Sequence, residues 1–302
     1  ISNYTQSVSP NLRPNQNIEQ NWVSGRALAK LTTVASPVDQ TQDPDFIDCS
    51  FCRRLTVGHF LFEDDSVIVF RDAFPVTPGH VHIVPRRHEA NFFELSSFER
   101  DALWDSLEQV REWLDAEHRP SGLNVGINIG AAAGQSIPHA NIHVIPRYKG
   151  DANRDSGMRW VLGGQGASYR KPGRGCGFCR QAEEGETLIE TPLSVGMDDI
   201  APVVEGHCHA LPRRHVETIF DLSVEERDDL WAVLDQLAAK LREEKTPDGF
   251  NIGMNIGADA GQSTQHLNVH LVPRYVGDVD SEESGVRWVS RGQGADWRSG
   301  RY

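Results

Sequence analysis

The sequence has no long apolar run and little positive charge. None of its hydrophobic stretches approaches the roughly 18 residues of a membrane-spanning helix, and no charged start followed by an apolar core resembles a secretory signal. Lys and Arg number 30 against 43 Asp and Glu, for a net charge of −13. Because duplex nucleic acid is held largely by cationic side chains, this balance argues against such a partner. We therefore expect a cytoplasmic protein that binds neither membranes nor nucleic acids.

Cysteine is also scarce, with five in 302 residues, and four of these form two Cys-x-x-Cys pairs. In the absence of a secretion signal, such pairs indicate metal binding rather than disulfides. The fifth, Cys208, has valine (Val81) at its counterpart in the other half of the chain and is expected to be a core thiol. Hydrophobic residues make up 38% of the chain, which is enough for a buried core.

The most informative pattern is an internal repeat. Residues 124–151 and 251–278 are identical at 18 of 28 aligned positions, at a constant offset of 127. Self-similarity of this kind indicates duplicated domains. We expect domain one at 46–170, domain two at 171–302 and a flexible polar extension at 1–45, which has no counterpart before the second repeat. Because the first residue is isoleucine rather than methionine, the true start is expected to be missing, processed or trimmed.

Each repeat carries the same local signals. Ser66–Phe70 and Val81–Val84 have the composition of strands joined by a turn. A Ser-x-x-Glu capping box beginning at Ser96 precedes apolar residues at helical spacing, and Ser223 begins its counterpart. These signals predict an α+β domain in each repeat, with an antiparallel sheet and one main helix.

Two sets of cysteine and histidine recur with identical spacing. In each repeat 35 residues separate the second cysteine from one histidine, and 50 more separate that histidine from another. Two thiolates and two imidazoles form the closed tetrahedral set that favours structural Zn²⁺, whereas a redox pair would not require the histidines. The predicted ligands of about two zinc ions per chain are Cys49, Cys52, His88 and His139, and Cys176, Cys179, His215 and His266.

A glycine-rich segment leads into a strand with alternating polar residues. Glycine in Gly134–Ser136 would let backbone N–H groups approach a phosphate. Beyond this loop His139, Asn141 and His143 lie two residues apart, so in a strand they line one face. His80 begins an earlier strand that would bring a further imidazole alongside.

These motifs together resemble the histidine-triad (HIT) family. They are C-x-x-C, F-x-D-x-x-P-V-x-P-G-H, V-P-x-x-H and N-x-G-(x)-G-Q-S-x-x-H-x-x-x-H, and they cover nearly everything from Asp48 to the C terminus. The resemblance implies a nucleotide-binding fold in which the central histidine of the triad attacks the α-phosphorus. Since family members usually pair as homodimers, it also implies a pseudo-dimer within this one chain, which would be monomeric.

The resemblance further implies a role for each matching residue. The ribose hydroxyls would be bound by Asp72 and Asp199. The phosphate would be held by Asn128, Gly134, Gln135 and Ser136, and in repeat two by Asn255, Gly261, Gln262 and Ser263. The phosphorus would be flanked by His80 and His143, and in repeat two by His207 and His270. The expected ligand is a purine nucleotide or a conjugate such as an AMP- or GMP-linked amine.

The central catalytic position of the triad is Asn141 in repeat one and Asn268 in repeat two. The amide nitrogen of asparagine has its lone pair delocalised into the carbonyl and is not a nucleophile. We therefore expect this chain to bind nucleotides without turning them over, and expect histidine restored at both positions to restore turnover. Two explanations compete. Replacement by design is favoured because the neighbouring residues are intact, and natural loss would leave a nucleotide-binding module.

For the parent enzyme, the resemblance implies cleavage of substrates of the type NMP–X through a nucleotidyl-histidine intermediate. A neighbouring acid protonates X, and water or another acceptor discharges the intermediate. We expect X to be an amine, so that a phosphoramidate bond is cleaved. The alternatives are dinucleoside polyphosphate hydrolysis and nucleotidyl transfer. Zinc would be structural, since four protein ligands leave no open position.

Overall fold

The computed structural model describes residues 49–151, 157–158, 176–185, 187–279 and 285–289. The chain separates into two units, 1–39 and 40–302, and the described residues belong to the second. The predicted extension at 1–45 and the predicted domain boundary at 170–171 lie outside the described residues, so both stay predictions.

Repeat one alternates short strands with two helices. The helices are α1 (Ser50–Val57) and α2 (Ser97–Glu117). The strands are β1 (Phe62–Glu63), β2 (Val67–Arg71), β3 (Val81–Pro85), β4 (Gly122–Ile129) and β5 (Ile142–Arg147). Short 3₁₀ helices lie at Phe92–Glu94 and Ala131–Ala133.

Repeat two follows the same order. Its helices are α3 (Gly177–Glu183) and α4 (Val224–Lys245). Its strands are β6 (Ile189–Glu190), β7 (Ser194–Asp198), β8 (Cys208–Pro212), β9 (Gly249–Ile256) and β10 (Val269–Arg274). Its 3₁₀ helices are Ile219–Asp221, Ala258–Ala260 and Val286–Val289. The α+β class and the antiparallel sheet predicted from the sequence are confirmed.

The strands of both repeats form one sheet, in the order β1-β2-β3-β5-β4-β9-β10-β8-β7-β6. The repeats meet where β4 pairs antiparallel with β9, and Gly126 lies opposite its own counterpart Gly253 at the centre of that pairing. The register is therefore symmetric about this glycine pair. Pairing of the two repeats through strand edges agrees with the expected pseudo-dimer.

The main helices begin where the capping boxes predict. Ser96 Oγ accepts a hydrogen bond from the Glu99 backbone N–H, and the Glu99 carboxylate accepts from the Ser96 N–H. Ser223 and Glu226 repeat the arrangement at α4. These reciprocal bonds satisfy N–H groups that a helix start otherwise leaves unpaired.

Alternation along the strands divides the sheet into a helix-packed face and a polar face. Val81 and Ile83 of β3 join the core that packs against α2, while His82 between them points to the other face. On the helix side the two repeats also meet through Trp104 and Trp231, whose rings stack with centroids 4.7 Å apart. Cys208 is fully buried in this core, as predicted.

Segments that follow the last strand of each repeat pack on the other repeat. A Cβ placed on Gly126 of β4 would lie 2.7 Å from the side chain of Val286, and one on Gly253 of β9 would lie 2.5 Å from Met158. Only glycine permits this approach. The described tail residues, Met158 of repeat one and Val286 of repeat two, thus each pack on the opposite repeat.

Candidate functional site

The first predicted metal cluster comes together beside α1. Cys49 flanks the start of that helix and Cys52 lies in its first turn. Cys52 Sγ lies 3.1 Å from His88 Nδ1 and 3.5 Å from His139 Nδ1. Cys49 Sγ lies 3.5 Å from the same His139 nitrogen. Zn–S bonds of about 2.3 Å and Zn–N bonds of about 2.0 Å in a tetrahedron separate the ligand atoms by about 3.5 Å, so this donor set fits zinc.

The second cluster repeats this geometry. Cys179 Sγ lies 3.4 Å from His215 Nδ1 and 3.4 Å from His266 Nδ1. Cys176 Sγ lies 3.3 Å from His266 Nδ1. Both cysteines here are half-buried, whereas those of repeat one are buried. All eight predicted ligands are thus brought together in two clusters.

A backbone carbonyl orients one histidine of each cluster. His139 Nε2 donates to the Pro85 carbonyl at 2.8 Å, and His266 Nε2 donates to the Pro212 carbonyl at 2.9 Å. Each Nδ1 therefore presents its lone pair to the thiols. Burial lowers the pKa of His139 to about 4, which keeps this ring neutral at pH 7.

The glycine-rich loop of repeat one closes on its own glutamine. Gly130 and Gly134 take φ angles of 84° and 81°, which favour glycine. Gln135 Oε1 accepts from the Gly130 N–H at 2.8 Å, and its Nε2 donates to the Ala90 carbonyl at 2.8 Å. Gln262 makes the equivalent bonds in repeat two. The structure thus gives these predicted phosphate ligands a bracing role in their loops.

The asparagines predicted to hold the phosphate are positioned by the opposite repeat. Asn251 Nδ2 donates to Asn128 Oδ1 at 2.8 Å, and the buried Arg274 donates to Asn251 Oδ1 at 2.6 Å. Asn124 makes the equivalent 2.8 Å bond to Asn255. Each loop is therefore braced across the β4–β9 pairing.

The flanking histidines pair with one another in both repeats. His80 Nε2 lies 3.2 Å from His143 Nδ1, and His207 Nε2 lies 3.0 Å from His270 Nδ1. All four side chains are buried. The chemistry available to such a pair is proton transfer.

Two further histidines, which the sequence interpretation missed, lie in the same sites. His82 Nε2 lies 2.6 Å from Asp72 Oδ2, and its Nδ1 lies 3.2 Å from Asn141 Oδ1. His209 Nε2 makes a short hydrogen bond with Asp199 Oδ2. The signal was present, since a histidine follows two residues after His80 and again after its counterpart, and such residues share a strand face.

A cavity of about 510 Å³ opens onto the site of repeat one. Its lining includes Asp72, His82, Ser136, Asn141 and His143. Trp288, from the tail of repeat two, also lines it. The predicted ribose, phosphate and central residues thus face one space, and the other repeat contributes to its wall.

No helix within the described ranges is both long enough and apolar enough to cross a membrane.

Comparison with known proteins places two copies of one domain in the chain. The profile described as "HIT domain" matches residues 56–150 and 180–277. These two ranges together cover more than half of the chain and fall one in each repeat.

Individual relatives match one repeat's length of sequence. An uncharacterised HIT-like protein of Saccharolobus solfataricus is 32% identical over 106 residues, which are 34% of this chain and 76% of that protein. A protein of Dictyostelium discoideum named bis(5'-adenosyl)-triphosphatase is 30% identical over 100 residues, 33% of this chain and 67% of its own length.

A solved structure resembles the tandem arrangement. An ADP-glucose phosphorylase from Arabidopsis thaliana, solved with bound ADP-glucose, aligns with 71% of this chain and 75% of its own, at a TM-score of 0.55. Its sequence identity is 14%, so the likeness is one of fold.

Proposed function

This chain belongs to the HIT family, and from that premise we propose that it binds nucleoside monophosphates and their conjugates, in the manner of a nucleotidyl hydrolase or transferase. The observation that carries the proposal is the cavity of repeat one. A carboxylate, a glycine-rich loop and buried imidazoles converge there on a volume of about 510 Å³. Concave sites with a few convergent polar groups are typical of small-ligand binding.

The proposed substrates are conjugates NMP–X in which X is an amine. An amine leaves only after it is protonated, and the paired imidazoles His80 and His143, 3.2 Å apart, are placed to supply that proton. The second candidate is a dinucleoside polyphosphate, in which X is a nucleotide. The name of the Dictyostelium relative, bis(5'-adenosyl)-triphosphatase, favours this second class.

The two cysteine and histidine clusters are proposed to hold one structural Zn²⁺ each. The support is the donor chemistry, with two thiols and two imidazoles in each cluster, one of which a backbone carbonyl orients. When bound, the metal would link the start of the short helix to the strand that carries the site. In repeat one that link ends at Asn141, whose Nδ2 donates to the His139 carbonyl at 2.9 Å.

Asparagine at 141 and 268 excludes a nucleotidyl intermediate on nitrogen at those two positions, because the nitrogen lone pair of an amide is delocalised into the carbonyl. We predict that histidine restored at both positions brings back turnover, but the space at position 141 is limited. Asn141 Oδ1 already lies 3.2 Å from His82 Nδ1, and an imidazole reaches further than a carboxamide. A histidine at 141 therefore requires His82 to move.

We expect equilibrium dialysis of the full chain with labelled AMP to show two bound nucleotides, displaced by an AMP-linked amine. The variant Gly134→Val/Gly261→Val should lose at least about tenfold in affinity, because a β-branched residue is strained at positive φ and would deform both loops. Gly277→Val is the matched control. Its φ is 86° and its Cβ would meet nothing within 4 Å. Absence of AMP binding, or equal loss in the control, would reject the proposed function.

The cross-braced asparagines give a prediction for each site separately. Asn251→Ala removes the donor to Asn128 and should weaken nucleotide binding in repeat one about tenfold, roughly 1.4 kcal/mol. Asn124→Ala should do the same in repeat two, through Asn255. Photo-crosslinking with an azido-AMP, followed by peptide mapping, reports the occupancy of each repeat. Equal loss at both repeats in either variant would contradict bracing from the opposite repeat.

A further inference from the structure

His82 and His209 lie beside the asparagines that replace the central residue of each triad. His82 is on β3 and pairs in register with His143 on the neighbouring strand β5. The rings of His82 and His143 lie 4.5 Å apart, and those of His209 and His270 lie 4.4 Å apart. Compared with the triad of the family, each repeat therefore lacks the central imidazole and has an additional imidazole on a neighbouring strand.

The surroundings of His209 leave one ring nitrogen available. Its Nε2 is hydrogen-bonded to the carboxylate of Asp199. The residue is only 3% exposed, and its buried Nδ1 has no hydrogen-bond partner among the described residues. Buried polar atoms are nearly always paired, so an unpaired one in a site points to a ligand atom that completes it.

In repeat one the corresponding nitrogen, His82 Nδ1, faces Asn141 Oδ1 at 3.2 Å. This contact locates the nitrogen beside the central position of the triad, where the nucleophile of the family acts. Because Asn141 Oδ1 only accepts, Nδ1 must give up its proton and this contact before its lone pair can attack. The contact also explains why a short side chain stands at 141. The asparagine and the additional histidine occupy the space together, and two imidazoles would crowd each other.

We propose that His209, with His82 as its counterpart in repeat one, is the nucleophile that Asn268 and Asn141 cannot be. The inference rests on the proposed function. The carboxylate at Nε2 orients the ring and stabilises the positive charge that develops on it, as the acidic member of a catalytic triad does. Asp72 holds His82 in the same way, 2.6 Å from Nε2.

The proposed reaction in repeat two begins with attack on the α-phosphorus. The lone pair of His209 Nδ1 forms a bond to the α-phosphorus as the P–X bond breaks. X keeps the bonding electron pair and takes a proton from the protonated His207–His270 pair, whose His207 Nε2 lies 3.6 Å from Asp199. The nucleotidyl-imidazolium is stabilised by the same carboxylate. Water then attacks phosphorus, the N–P electron pair returns to Nδ1, and the proton of water returns to the histidine pair.

The test uses the full chain, an AMP-linked amine and diadenosine triphosphate. The reaction is not quenched with acid, because acid cleaves an N–P bond. Samples are quenched in alkali and the nucleotidyl-protein is mapped by mass spectrometry. We expect an AMP adduct on His209, on His82 or on both. His82→Asn/His209→Asn should lower turnover about a thousandfold or more while AMP binding changes little.

Two variants keep the result interpretable. Cys208→Ala alters the residue next to His209 on the opposite face of β8 and should leave turnover unchanged. Exchange of the two side chains, His209→Asn/Asn268→His, should move the adduct to position 268. Turnover that persists in His82→Asn/His209→Asn overturns the inference, as does an adduct elsewhere or turnover without any adduct.

A metal in the cluster of Asp199, His207, His209 and His270 is the remaining outcome. If the unmodified chain holds four zinc ions and His82→Asn/His209→Asn holds two, these residues bind metal. That result would overturn their assignment as nucleophiles. AMP binding without turnover or adduct would overturn this inference alone. Failure to bind AMP would overturn the proposed function as well.

Discussion

Replacing Arg147 with methionine is expected to lower the free energy of unfolding by about 3–5 kcal/mol, the usual cost of removing one partner from a buried charged network. The side chain is fully buried. Its Nη1 donates to Asn124 Oδ1 at 2.7 Å and its Nη2 donates to the Asp151 carbonyl at 3.2 Å. Burial lowers the pKa of Arg147 and the neighbouring Asp151 raises it, and the guanidinium stays charged. Methionine fills the space but leaves the Asn124 oxygen without its donor.

Urea unfolding of the full chain measures the effect. Arg274→Met, at the symmetric position, should behave alike, because Arg274 is equally buried and donates to Asn251 at 2.6 Å. Arg180→Met is the control. That side chain is 63% exposed and reaches Glu184 only at 4.0 Å, so the midpoint of unfolding should not move. Equal midpoints for the buried and exposed variants would contradict a structural role for the network.

Burying an arginine in a sheet carries a desolvation penalty, and apolar side chains of similar volume often give equal stability. Its position suggests why it is used. Arg147 holds Asn124, and Asn124 holds Asn255 in the loop of the opposite repeat. A directional network fixes the orientation of a carboxamide, which apolar packing cannot do. The β4–β9 pairing and the two candidate sites are therefore built from the same hydrogen bonds.

The metal clusters and the helix starts could be predicted because each depends on residue type and spacing. Two thiols and two imidazoles repeated at the same intervals predict a metal site, whatever path the chain takes between them. Likewise Ser96 and Glu99 form their capping box through local bonds alone. Features of this kind require no knowledge of which strands are neighbours.

The additional histidines were not predicted, because their role depends on strand pairing. Alternation puts His80 and His82 on one face, but only the register of β3 against β5 brings His82 next to Asn141. The expectation of an inactive chain considered only the two asparagines. The structure adds an imidazole to each site, so that expectation stays a prediction for positions 141 and 268.

The pairing of the two repeats through β4 and β9 also could not be predicted from the sequence. β4 is buried along its whole length, so no polar edge marks where β9 will pair. Gly126 of β4 accommodates Val286 from the opposite tail, a contact that only tertiary structure reveals.

Removal of one thiol from each metal cluster is the second change with a large expected effect. The purified chain should contain about two zinc ions, Cys52→Ser about one, and Cys52→Ser/Cys179→Ser none, because a hydroxyl is a poor replacement for a thiolate in a structural site. Each loss should lower the free energy of unfolding by about 4 kcal/mol, in the range typical of losing a bound metal. Elemental analysis and urea unfolding measure the two quantities.

Cys208→Ser distinguishes loss of metal from loss of a buried thiol. Cys208 is as buried as Cys52 but lies outside both clusters, so this variant should be destabilised and still retain both zinc ions. Wild-type protein with well under one zinc ion would refute the assignment, and so would a zinc content in Cys52→Ser equal to that of the wild type.

Loss of the metal should also reach the nucleotide site, and only in the repeat that loses it. His139 is the point of connection, since its Nδ1 faces the two thiols while its carbonyl accepts from Asn141 at 2.9 Å. Without zinc, the His139 ring keeps its hydrogen bond to the Pro85 carbonyl but loses its metal link to the start of α1, and we expect the start of β5 to shift. Azido-AMP labelling of Cys52→Ser should therefore fall in repeat one and persist in repeat two. Labelling that falls equally in both would show that the metal supports the whole sheet rather than the site beside it.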